Sequence, residues 1–218
     1  MRKAGCRREV TGMRLDIITV TSRNEGMDQA IEMTEKLSSE SGLEKKQKLH
    51  MRLLAEELFG LLKGIAGDVE ADYWLEATEK NFELHMKSEV QLTDEMKKQF
   101  LESSSTGENS AAKGVMGKIR VMIASVLLST KEVLPMALIN TAAAYQPAGG
   151  SGASVDWSMV DYKNRVKNEA GDREATEAWD ELERSIIANI ADDVKVKILG
   201  NKVEIIVFKN FENQKRDA

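Results

Sequence analysis

Two pairs of segments with alternating apolar and polar residues constrain the fold of this 218-residue chain more than any other feature. In the first pair, the residues alternate over 73–86 on both sides of a polar turn at 79–81. In the second pair, they alternate over 194–207 around Gly200 and Asn201. A Gly-Asn pair between two alternating runs favours a tight hairpin turn. The sequence therefore predicts two antiparallel β-hairpins.

Apolar residues spaced three and four positions apart predict the helices. This spacing occurs in four longer segments: 27–41, 43–64, 114–128 and 172–190. A shorter helix is predicted from Thr93, a capping residue, to Leu101. Asp156 is interpreted as the cap of another short helix that carries Trp157, Val160 and Val166.

The complete order of these elements predicts the fold class. A short strand rich in β-branched residues is predicted over 14–21, ahead of the first helix. Only two prolines and 15 glycines occur in the chain, which argues for long regular elements. Together, the predicted strands and helices indicate an α+β fold, with a mainly antiparallel sheet of about five strands and helices packed on one face.

Composition excludes several functional classes. The chain has 31 Lys and Arg against 36 Asp and Glu, so a net charge of −5 gives no basic field for nucleic acid. One cysteine excludes a disulfide framework, and one cysteine with two histidines excludes a His/Cys zinc cage. No metal ligand is predicted.

A membrane-spanning helix is not expected. The longest stretch without charge, 133–155, contains Pro135, Pro147 and a Gly/Ser run at 149–152 that interrupt any continuous helix. The chain is therefore expected to be cytoplasmic and to have no membrane partner.

One domain is expected to occupy most of the chain. Residues 1–12 are basic and lack apolar periodicity, which predicts a disordered or peripheral tail. A single domain is predicted over 13–211, with an insertion at about 130–171 and a second tail at 212–218.

The order of elements resembles a known family. The predicted elements begin with a strand that ends at Thr21 and Ser22, followed by two helices, the second with an acidic pair near its end. A hairpin, a glycine-bearing loop that opens a helix, and a final Gly-Asn hairpin come after them. This order is similar to that of the ATP-binding domain of histidine kinases, and closest to the bacterial anti-sigma-factor serine kinases. The matching segments are 15–22, 52–58, 113–118 and 193–211. The resemblance covers most of residues 14–128 and 172–211, and it implies a histidine-kinase-like ATPase (GHKL) fold.

The resemblance implies a role for Glu56 and shows which ligands are missing. In the family, a glutamate at this position can activate a water, and an asparagine one turn later ligates magnesium. Here Glu56 would be catalytic only if the protein were an active enzyme. The residue four positions after it is Gly60, where the family has the asparagine that ligates magnesium. Counted from Glu57, that residue is Leu61, so either count leaves the metal without its oxygen ligand.

The family's adenine-binding motif, Asp-x-Gly-x-Gly, is also not intact. The segment 86–92 contains no glycine, and Asp94 has Met96 where a glycine is needed. ATP with magnesium is the cofactor that the resemblance implies, and these departures disfavour it.

A glycine-rich segment before a predicted helix is the remaining candidate binding site. The resemblance implies that backbone N–H groups and lysines here hold an anion, at Gly107, Lys113, Gly114, Gly117 and Lys118. The competing interpretation is a helix start at Gly114 and a close-packing point at Gly117. For Glu56 and Glu57 the competing interpretation is a solvated or ion-paired helix face. The single histidines, His50 and His85, favour structural roles.

Three functions remain open from the sequence. The first is a non-catalytic, degenerate ATPase-fold regulatory protein that is similar to anti-sigma factors and binds an unidentified protein partner. The second is an active ATP-dependent enzyme resembling the serine and histidine kinases. The third is an unrelated α+β protein with a structural or small-ligand role. Self-association through the apolar part of the expected insertion is a further hypothesis.

Overall fold

The computed structural model describes residues 12–63, 68–91, 114–129, 154–168 and 173–212. The described strands are β1 (Met13–Arg14), β2 (Ile18–Thr21), β3 (Glu70–Thr78), β4 (Asn81–Glu89), β5 (Ser154–Ser158), β6 (Asp193–Leu199) and β7 (Lys202–Asn210). The described helices are α1 (Met27–Glu40), α2 (Lys45–Lys63), α3 (Gly114–Ser129), α4 (Met159–Asn168), α5 (Arg173–Arg184) and α6 (Ile186–Ile190). The predicted α+β class is confirmed.

One antiparallel sheet contains all seven described strands. Its order is β1-β3-β4-β7-β6-β5, and β2 also pairs with β3 on the β1 edge. Both predicted hairpins are confirmed: β3 with β4, and β6 with β7. Gly200 has a φ of +60°, a left-handed conformation that glycine adopts without a Cβ penalty and that a tight hairpin turn requires. The two hairpins join through β4 and β7, which place His85 opposite Ile206.

The alternation in the strands gives the sheet two different faces. Tyr73 and Leu75 of β3 point to the same face as Leu84 of β4, and all three are fully buried. They pack in one core with apolar residues of α1 and α2, among them Ala30, Leu54, Leu58 and Leu62. The opposite face, called the outer face here, carries the alternate residues, including Trp74, Glu76 and His85.

The sheet has more strands than the sequence predicts. The expected strand over 14–21 divides into β1 and β2, and residues 154–158 add β5 beside β6. Asp156 therefore lies exposed in a strand and does not cap a helix, contrary to its predicted role. The first turn of α4 is capped by Ser158, whose Oγ accepts a hydrogen bond of 3.4 Å from the Asp161 N–H, and by Asp193, whose Oδ1 accepts one of 3.1 Å from the Val160 N–H.

The predicted helix over 172–190 is interrupted once. Ser185 leaves the helical conformation, with φ −81° and ψ 122°, and its side chain accepts a hydrogen bond from the Ala188 N–H. This N-cap ends α5 and starts α6 in a new direction. The predicted helices at 27–41, 43–64 and 114–128 are confirmed within two residues at each end.

Several sequence-based predictions concern residues outside the described ranges. These are the helix over 93–101, the tail before Gly12, the part of the expected insertion before Ser154, and nearly all of the C-terminal tail. None of the helices in the described ranges is long and apolar enough to cross a lipid bilayer.

Candidate functional site

A cleft of about 500 Å³ lies between α2, the start of α3 and the junction of α5 and α6. We call it the α2–α3 cleft. Seven of the described residues line it: Glu57, Val115, Met116, Glu181, Arg184, Ser185 and Ile186. It lies beside the two sequence positions that the family resemblance singles out, Glu56 and Gly114.

Two local features of the sequence form the cleft. Helix α3 begins at Gly114, which places Val115 and Met116 in its first turn. The Ser185 cap turns the chain between α5 and α6, so that Arg184 and Ile186 reach the rim from two different helices. Since the Ser185 hydroxyl already serves as this cap, it is a structural group in the cleft.

Glu57 and Glu181 are the two acidic residues of the described lining, and Glu57 is the one that Lys118 does not neutralise. Burial raises the pKa of the Glu57 carboxyl above the ordinary value, and the neighbouring Glu56 raises it further. Among the described residues it has no hydrogen-bond or ion-pair partner. A half-buried carboxylate without a partner is stabilised by a cation brought to it, so this residue favours a positively charged ligand group.

Glu56, the sequence candidate for a catalytic carboxylate, is engaged elsewhere. Its Oε1 accepts a hydrogen bond of 2.8 Å from Arg52 Nε, and the same guanidinium reaches Glu35 of α1 at 2.9 Å. One turn later, Gly60 is exposed and has nothing within 4 Å of the position of a Cβ. The chain therefore places no metal-ligating side chain at this turn.

Lys118, one of the predicted anion-binding residues, is paired with protein groups. Its Nζ lies 2.7 Å from Glu181 Oε2 and donates a hydrogen bond of 2.6 Å to the Tyr162 hydroxyl. The lysine side chain is only 14% exposed. It thus joins α3 to α4 and α5, and a phosphate would have to displace a carboxylate to reach it.

The other predicted anion-binding residues are only partly brought together. Gly114 starts α3, and the first turn of that helix, whose backbone N–H groups have no partner within the helix itself, borders the cleft. Gly117 is buried within α3 and is not part of the lining. Gly107 and Lys113 lie outside the described residues.

The described lining suits a ligand that carries both apolar and charged groups. Val115, Met116 and Ile186 provide apolar walls, while Glu57 and Arg184 place opposite charges on the lining. Glu181 is already neutralised by Lys118.

Sequence reasoning missed the contribution of Glu57, Glu181 and Arg184. For Glu57 a signal exists, because it lies three residues after Leu54 and four before Leu61, both of which are fully buried. Glu57 therefore borders the apolar stripe of α2, whereas Glu56 extends toward Arg52 and α1. For Glu181 and Arg184 the position depends on the break at Ser185, which the helical periodicity does not show.

Replacing Glu57 with glutamine should raise stability at neutral pH. Because the folded state raises the pKa of this carboxyl, it holds the proton more tightly than the unfolded state does. Stability therefore falls as pH rises from the ordinary value of 4.5 through the folded pKa. Urea unfolding should show a higher midpoint for Glu57→Gln at pH 7, and a difference that shrinks when the pH falls below 4.

Glu56→Gln is the matched control for this measurement. It removes the Arg52 ion pair of an exposed helix face, so stability at pH 7 should fall slightly and should not rise. A Glu57→Gln variant that is less stable than the parent protein at pH 7 would show that the carboxylate has a stabilising partner.

Comparisons with known proteins add no family assignment. No protein-family model matches this sequence, and no curated protein matches it.

Proposed function

We propose that this chain is a non-catalytic regulatory protein with a degenerate histidine-kinase-like ATPase fold, which acts in the cytoplasm by binding a partner protein in the α2–α3 cleft. The observation that carries the proposal is the chemistry of the cleft. Its Glu57 carboxylate, which has no partner in the described part of the chain, and its apolar walls suit a protein side chain better than a nucleotide phosphate.

Three features of the described residues argue against phosphoryl transfer. Gly60 offers no oxygen to a magnesium ion. The Lys118 ammonium is held by Glu181 and Tyr162. The carboxylate of Glu57 would repel a triphosphate in the same cleft. Since phosphoryl transfer depends on a bridging metal and positioned cations, these features remove its main electrostatic stabilisation.

The same features favour a protein ligand of particular chemistry. An apolar side chain can enter between Val115, Met116 and Ile186, and an adjacent lysine or arginine can pair with Glu57. Ile186 is 44% exposed at the rim of the cleft. An exposed apolar side chain beside a concave, partly apolar site is typical of protein-binding surfaces. The partner segment is therefore proposed to carry an apolar anchor beside a basic residue.

Site-specific photo-crosslinking in living cells would test this proposal. A photoreactive amino acid at Ile186 should capture one protein reproducibly, whereas the same residue at Leu199 should not. Leu199 is a suitable control because it is even more exposed, at 67%, and lies at the end of β6. Equal capture at both positions, or none at Ile186, would refute binding at the cleft.

Charge reversal should distinguish the roles of the neighbouring Glu56 and Glu57 in partner binding. Glu57→Lys should abolish the crosslink from Ile186, because it repels the basic residue proposed for the partner. Glu56→Lys, whose carboxylate belongs to the Arg52 network, should leave most of the crosslink in place. Retention of the crosslink in Glu57→Lys would contradict the proposed recognition.

ATP with magnesium should not bind. Losing the metal ligand and the adenine carboxylate removes two charge-assisted contacts, each worth about 1.5–3 kcal/mol. Isothermal titration should therefore give no heat of binding, and no phosphate should be released on incubation with ATP. A micromolar dissociation constant that weakens in Glu56→Ala would replace this proposal with an active kinase-like enzyme.

A further inference from the structure

Three potential metal ligands lie together on the outer face of the sheet, on the side away from the helices. Glu76 belongs to β3, and Glu83 and His85 belong to β4. One ligand atom from each side chain lies within 4.8 Å of the others. We call these residues the Glu-His cluster. It is separate from the α2–α3 cleft, which lies on the helical side.

The strand register brings two negative charges directly together. Glu76 is the cross-strand partner of Glu83 in the antiparallel β3–β4 pair. Like charges in this position destabilise a sheet. Glu204 on the neighbouring β7 adds a third carboxylate to the electrostatic surroundings of His85. The guanidinium of Arg14 opposes these charges and lies with its Nε 3.5 Å from Glu76 Oε1, which leaves Glu83 and Glu204 without that neutralisation. The cluster is therefore an arrangement that a cation would stabilise.

His85 supplies an independent indication of a ligand. The residue is only 7% exposed, and neither ring nitrogen has a hydrogen-bond partner among the described residues. Its Nε2 lies 3.4 Å from Glu83 Oε2, so the ring edge is directed into the cluster. A buried, unpaired polar atom costs free energy, and coordination to a metal ion would satisfy one of these nitrogens.

Packing fixes the orientation of the imidazole. The Trp74 ring stacks on it with centroids 4.6 Å apart and planes 6° from parallel. On the other side, Ile206 occupies the cross-strand position. Trp74 also donates a hydrogen bond of 3.0 Å from Nε1 to Glu76 Oε1. A single aromatic residue thus orients two members of the cluster, as partners of metal ligands commonly do.

We infer that Glu76, Glu83 and His85 form a binding site for a divalent transition-metal ion, with zinc as the best fit. Imidazole nitrogen with carboxylate oxygen is a ligand set that zinc accepts, whereas calcium and magnesium prefer oxygen alone. Two ligands of a tetrahedral zinc ion lie about 3.4 Å apart, given bonds of about 2.0–2.2 Å. The His85–Glu83 distance already has this value.

The side-chain freedom of the cluster agrees with this inference. The two glutamate side chains are 42% and 43% exposed. They can therefore move the short distance needed to close around an ion, and water would complete the coordination.

Zinc titration of the full chain tests the inference. The single thiol is removed by Cys6→Ser, since a free cysteine is itself a zinc ligand. Calorimetry should then give one zinc ion per chain with a micromolar or tighter dissociation constant. Glu83→Gln should weaken binding at least about 10-fold and His85→Gln at least about 100-fold, since even partners of ligands contribute factors in this range. His50→Gln is the matched control and should bind as the parent does.

Histidine NMR of the Cys6→Ser protein, with both histidines present, covers the case in which His85→Gln fails to fold. The chain has only two histidines, so their ring nitrogen resonances can be assigned by comparison with His50→Gln. Zinc should shift the His85 resonances and leave those of His50 in place. Absence of binding at millimolar zinc would overturn the inference. So would binding that Glu83→Gln leaves unchanged, or a shift confined to His50.

Discussion

Replacing Tyr73 with alanine is expected to lower the free energy of unfolding by about 3–5 kcal/mol, the range for deletion of a large buried aromatic ring. Tyr73 is fully buried in β3 and meets Phe59 of α2 edge-on, with ring centroids 5.1 Å apart. It therefore connects the sheet to the helical layer at the centre of the core. Urea unfolding monitored by circular dichroism would measure the loss.

Tyr73→Phe separates the ring from its hydroxyl. The Thr34 hydroxyl donates to the Ala30 carbonyl at 2.7 Å, so the 2.7 Å contact between the two hydroxyls is donated by Tyr73. Because Thr34 keeps its own bond, the loss should be only about 0.5–1.5 kcal/mol. A loss in Tyr73→Phe as large as that in Tyr73→Ala would show that the hydroxyl, and not the ring, dominates.

Replacing Gly26 with alanine is expected to cost more than about 2 kcal/mol. Gly26 has a φ of +73°, a conformation that alone costs about 1–2 kcal/mol for a residue with a Cβ. An added Cβ would also clash with the Thr19 carbonyl oxygen of β2. The backbone between β2 and α1 would have to move, and thermal or urea unfolding would report the loss.

Gly60→Ala is the matched control and should have the opposite sign. Gly60 lies in the interior of α2, where an added Cβ meets nothing within 4 Å. Alanine is preferred over glycine in a helix by about 0.5–1 kcal/mol, so stability should rise by a similar amount. If Gly26→Ala and Gly60→Ala lost stability equally, the close approach at Gly26 would not be the cause of the loss in Gly26→Ala.

Elements defined by local patterns could be predicted from the sequence. Hairpin turns and helix periodicity depend on neighbouring residues, so both hairpins and the helices at 27–41, 43–64 and 114–128 agree with the structure. Strand β5 could not be predicted in this way. Its five residues follow a Gly/Ser run, and they become a strand because they pair with β6, about forty residues further along the chain.

The two candidate sites differ in how much the sequence reveals. Glu56 and Glu57 are adjacent residues of the same type. Only their positions around the helix relative to the buried Leu54 and Leu58 show which of them borders the core. The Glu-His cluster requires the register of β3 and β4. The two-residue turn at 79–80 fixes that register, but the burial of His85 also depends on β7, which is distant in sequence.

The shortness of the outermost strands limits how another chain can attach to the sheet. One described edge consists of β1 and β2, with two and four residues, and residues 15–17 interrupt it. The other edge among the described strands, β5, has five residues and an exposed Asp156. Short, interrupted or charged edges offer no continuous row of N–H and C=O groups to an incoming strand. Recruitment of a partner by strand addition is therefore disfavoured, and so is edge-to-edge aggregation.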